Sequence, residues 1–88
     1  MPVIYCRINL GDLRQTIYFV DDKASTPLGE IETELLPGFI AFHCKENNIN
    51  KVALNGPKDY AEFLGDEVKR SAQANFNLAD IEIEFMNE

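Results

Sequence analysis

Cysteine is scarce in this chain. It occurs twice in 88 residues, at Cys6 and Cys44, too few and too far apart for a disulfide framework or a zinc-finger spacing, so a reducing cytoplasm is the expected setting. Positive charge is scarce as well: 8 Lys and Arg face 15 Asp and Glu, for a formal net charge of -7. A chain so acidic is not expected to bind nucleic acid or an anionic membrane, where Lys and Arg must meet phosphates. A protein partner with a basic surface fits better, although the same acidity also serves plain solubility. No run approaches the roughly 20 apolar residues of a membrane span. The start, Met1-Pro2-Val3-Ile4-Tyr5-Cys6, lacks the basic-then-apolar order of a signal peptide. There is one histidine, His43.

What is present reads as one globular α/β domain over residues 1–88. Hydrophobic residues make up 45% and charged ones 26%, far from the make-up of a disordered chain. A domain this small buries only about 60 to 65% of its unfolded surface, so a partner subunit would help, and a homo-oligomer is one structural role to consider.

Val3 to Leu10 alternates with period two, setting Ile4, Cys6, Ile8 and Leu10 against Val3, Tyr5, Arg7 and Asn9, the pattern of a strand. Gly11-Asp12 turns the chain, and the β-branched and aromatic run Thr16 to Val20 completes a hairpin. Asp21 to Pro27 reads as a loop. Gly29 to Leu36 fits two patterns. Ile31, Thr33 and Leu35 alternate with Glu30, Glu32 and Glu34 as in a strand, whereas Leu28, Ile31 and Leu35 also fit a helical face; the strand is preferred because Pro37 would break a helix running through it. Pro37 suits the first turn of a new helix, carried by Phe39, Ile40, His43, Cys44 and Asn47 and stopped at Asn47-Asn48. Lys51 to Leu54 is a short buried strand. After Asn55-Gly56-Pro57 a second helix shows an apolar stripe of Tyr60, Phe63, Leu64, Val68 and Ala72, weakened slightly by Gly65. Asp80 to Phe85 alternates again, Ile81, Ile83 and Phe85 against Asp80, Glu82 and Glu84.

The expected order is therefore β-β-β-α-β-α-β in a mixed sheet, since strands joined through helices are parallel and the opening hairpin is antiparallel. If Gly29 to Leu36 is helical, the order becomes β-β-α-β-α-β. The first order resembles that of ribonuclease H-like folds, in architecture and not in any motif. Nucleases of that fold hold divalent metals on carboxylates of the first strand, the first helix and the end of the fourth strand. This chain departs from that pattern, with Asn9, Glu46 and Asn55 near those places, and neutral amides do not supply the charge that two-metal chemistry needs. No metal, cofactor or catalytic residue is expected.

His43 and Cys44 are neighbours on a helix and point about 100 degrees apart, so both read as packing residues, as does Cys6. Asn55, Gly56 and Lys58 sit between a strand and a helix, where α/β proteins often bind anions or nucleotides. One glycine followed by a proline makes a weak cradle, and a turn and cap is the simpler reading. The acidic rows carry more. With both helices on one side of the sheet, Glu30, Glu32, Glu34, Glu82 and Glu84 would share the other with Tyr5, Arg7 and Tyr18, a mixture of aromatics and charge suited to docking a protein, though also to a solvated sheet face. The leading expectation is a non-enzymatic interaction module: a small adaptor, inhibitor or accessory factor of the sort that phages and mobile elements encode.

Overall fold

The computed structural model describes residues 2–86. Strands β1 (Val3–Arg7), β2 (Arg14–Val20) and β3 (Ser25–Glu32) precede helix α1 (Leu36–Asn47), strand β4 (Lys51–Asn55), helix α2 (Lys58–Phe76) and strand β5 (Glu82–Met86). Local polar chemistry folds the two hairpins. At the first, the Asn9 side-chain oxygen accepts the Gly11 N–H at 3.0 Å and the Asn9 carbonyl accepts the Asp12 N–H at 3.1 Å. At the second, the Asp21 carboxylate accepts the N–H groups of Lys23 and Ala24, both at 2.9 Å. Those two bonds hold its carboxyl below the usual range.

The strands form one mixed five-stranded sheet in the order β3-β2-β1-β4-β5. β1–β2 and β2–β3 are antiparallel, β1–β4 and β4–β5 parallel. This is the β-β-β-α-β-α-β arrangement, an antiparallel meander followed by two crossover units. Both crossovers advance in the same direction along the sheet, and right-handed connections then set both helices on one face, where α1 and α2 pack on each other. Between helices and sheet lie Ile4, Cys6, Ile17, Leu36, Ile40, Cys44, Val52, Leu54, Leu64 and Val68, each at most 1% exposed. Both cysteines are free and buried, and burial pushes their thiols up to about 12. They are packing groups. Gly65 is a close-approach residue: a Cβ there would stand 3.2 Å from both Ile83 and Phe85, so its bareness lets β5 lie against α2. No helix is long and apolar enough to cross a membrane among the described residues.

Five expectations are corrected. The third strand runs Ser25–Glu32 and not Gly29 to Leu36, because the Asp21 turn closes the preceding loop within a few residues and Pro27 is tolerated on an edge strand. Thr33–Leu35 is instead one 3-10 turn leading into α1, so each pattern read in that segment holds for half of it. Glu34 therefore leaves the sheet. Leu10 is 54% exposed, since the chain turns at Asn9 and ends β1 before the alternation does. Phe63 is 57% exposed, because the buried stripe of α2 runs through Ala61, Leu64, Gly65, Val68 and Ala72. Cys44 and Ala41, likewise, define the inner side of α1 more than Phe39 or His43 do.

Candidate functional site

Among the described residues, no helix lies on the second face of the sheet, and the registers fix what that face presents. Tyr5 pairs with Tyr18 and with Ala53, Tyr18 with Pro27, and Ala53 with Glu84. One row thus crosses the whole sheet: Pro27, Tyr18, Tyr5, Ala53, Glu84. The two tyrosine rings are 6.3 Å apart between centroids and tilted by 46°, a cross-strand contact worth about 0.2–1 kcal/mol. Asn55 Nδ2 donates to the Tyr5 hydroxyl at 3.0 Å, which fixes the ring's inner edge. Val3 pairs with Val20 on the same face, beside Lys51 and Glu82.

Tyr5, Arg7, Tyr18, Glu30, Glu32, Glu82 and Glu84 all reach this face, whereas Glu34 does not. The face is also less acidic than its glutamate rows suggested. Arg14 stands there beside Arg7 and Lys51, and its Nε meets Glu30 Oε1 at 2.6 Å between exposed side chains. Acid occupies the two edge strands, β3 and β5, and the three inner strands carry the bases. The result is an aromatic centre with a rim of mixed charge.

Asn55 and Gly56 both have structural roles at the end of β4. The Asn55 carbonyl accepts the Ile8 N–H at 2.7 Å. A Cβ on Gly56 would come within 2.9 Å of Ile8 Cβ, so glycine is required there by strand packing. Lys58 is exposed at the start of α2. His43 is half-buried edge-on to Phe39 and Phe42, at centroid distances of 4.6 and 5.2 Å. Burial lowers its pKa, with Glu46 opposing. Asn9 and Asn55 lie at the C-terminal ends of their strands, while Glu46 lies near the C-terminus of α1, at the opposite end of the sheet. Among the described residues no group of three His, Cys, Asp or Glu side chains is placed to hold a metal ion.

A cleft of about 840 Å³ opens at the C-terminal ends of β1 and β3, between the first hairpin, the 3-10 turn and α2. Its apolar wall is Leu10, Leu13, Tyr60 and Phe63. Gln15, a buried polar residue on the core side of β2, builds it. Gln15 Nε2 donates to the Asn9 carbonyl at 2.7 Å and to Thr33 Oγ1 at 3.1 Å, while its Oε1 accepts the Asn9 N–H at 3.0 Å. The Thr33 N–H in turn donates to the Leu13 carbonyl at 2.9 Å. One side chain thus ties the hairpin to the start of the helical segment. A glutamine preceding Thr16-Ile17-Tyr18 was the available signal in the sequence, together with leucines on both sides of Gly11-Asp12.

No protein-family model matches the chain, and no curated protein matches it. Among solved structures, Dom34 of S. cerevisiae, described as a translation termination-like factor involved in RNA quality control pathways and interacting with Hbs1, has a similar fold. The TM-score is 0.52 and the sequence identity 14%, over 94% of this chain and 28% of that one. The likeness extends to the fold alone.

Proposed function

We propose that the protein is a non-enzymatic interaction module that docks on another protein through the open face of its sheet. The observation that carries this reading is the row of Pro27, Tyr18 and Tyr5 across the middle of an uncovered face, with the charges gathered around it. Interfaces are organised in this way, with aromatic anchors in the centre and a polar rim that excludes water. Tyrosine offers much contact area for little conformational entropy, and the Asn55 amide already holds Tyr5 in place.

Native mass spectrometry of the chain purified from its own cells tests the reading. Wild type should carry a protein partner, and the double variant Tyr5→Ser, Tyr18→Ser should lose it while keeping its far-UV spectrum. A wild-type chain that carries nothing, or a variant that retains the partner, would overturn it.

A further inference from the structure

We infer that the strand-end cleft is a second docking site, for a basic segment of a partner protein that inserts leucine-like side chains. Two observations converge there. Leu13 is 88% exposed, Phe63 57% and Leu10 54%, which places three of the chain's most exposed large apolar side chains around one concavity. Large apolar groups concentrated in this way mark binding surfaces, unlike single ones scattered over a protein. The same cleft is rimmed by Asp12, Glu32, Glu34 and Glu67, with Arg14 the one base lining it; Arg14 is engaged by Glu30 and Glu67 by Arg70, each at 2.6 Å, so Asp12, Glu32 and Glu34 carry most of the rim's charge.

That charge selects the occupant. Phosphates are repelled, and a second copy of a chain with net charge -7 brings like charge to the rim. A segment with Lys or Arg on one side and leucines on the other satisfies both wall and rim. The backbone beneath the wall is held in place, because Gln15 and Thr33 anchor the hairpin bearing Leu10 and Leu13, so less loop-ordering entropy is lost when a partner arrives. This site shares no apolar residue with the tyrosine face, although Arg14 and Glu32 border both.

The test titrates a short amphipathic leucine/lysine peptide into the isotopically labelled chain and follows backbone amide resonances. Shifts should concentrate in residues 10–13 and 60–67. The variant Leu13→Ser, Phe63→Ser should weaken binding on the order of tenfold, as for loss of an anchoring pair, and Glu34→Gln, Glu67→Gln should weaken it less, with an effect that fades in salt. Tyr5→Ser should leave it unchanged, so the cleft and the tyrosine face stand or fall separately. Absence of binding, shifts centred on Tyr5 and Tyr18, or equal binding by a peptide with serine in place of leucine would each overturn the proposal.

Discussion

The two faces of the sheet are made from alternate residues of the same strands, yet they are different materials. On the helix side, Ile4, Cys6, Ile17, Val52 and Leu54 have essentially no exposure and pack in an apolar layer, with Gln15 the buried polar residue at its end. On the open side, Tyr5 and Tyr18 keep part of their surface in water, and a hydrogen bond from Asn55 positions Tyr5. Asn55 and Ala53 are nevertheless buried there, at 7% and 4% exposure. Among the described residues no helix covers this face, and Ala53 is shielded by its cross-strand neighbours Tyr5 and Glu84. The first face carries the apolar core; the second is held by cross-strand contacts and the Asn55–Tyr5 hydrogen bond.

The contrast can be broken most directly at Leu54. Leu54→Ala should cost about 2–5 kcal/mol of unfolding free energy in denaturant melts, through lost burial and a cavity in the packed layer. Tyr18→Ala should cost markedly less, and an equal loss would mean that the open face is structural. Gly56→Ala comes next, at about 1–3 kcal/mol, since its methyl group meets Ile8 from a rigid backbone. Gly11→Ala, with 3.4 Å to its nearest neighbour, is the matched control. Tyr5→Phe should cost about 0.5–1.5 kcal/mol by removing the acceptor of the Asn55 amide, and should slow neither folding nor expression.

The smallest effect concerns His43. Burial against Phe39 and Phe42 lowers its folded pKa below the ordinary 6.5, so the neutral ring is the one the fold favours. Its contribution is present above the unfolded pKa and is lost as pH falls through the lower folded value. The melting temperature of wild type should therefore decline in mild acid more than that of His43→Phe, and parallel curves would show that the ring titrates as if free.

Much of this was legible because strands write their faces into alternate positions. Ile4, Cys6 and Ile8 against Tyr5 and Arg7, and Glu82 and Glu84 against Ile83, were readable from period two alone. The errors fall where a pattern outruns its element. Leu10 continues the alternation of β1 after the backbone has turned at Asn9. Glu34 continues that of β3 after the chain has entered a 3-10 turn. Phe63 obeys the helical period but lies beside the buried stripe of α2, which runs through Ala61, Leu64, Gly65, Val68 and Ala72.

The sequence by itself determined the elements, their order and the two chemistries of each strand, because these depend on neighbours a few residues apart. Only the tertiary structure decided which charges share a surface. Arg14 joins the tyrosine face through its pairing with Glu32 and its ion pair with Glu30, and Asp12, Glu34 and Glu67 converge on one cleft from three separate segments. Such meetings depend on strand register and on the handedness of crossovers, which bring together residues far apart in the chain and leave no periodic trace along it.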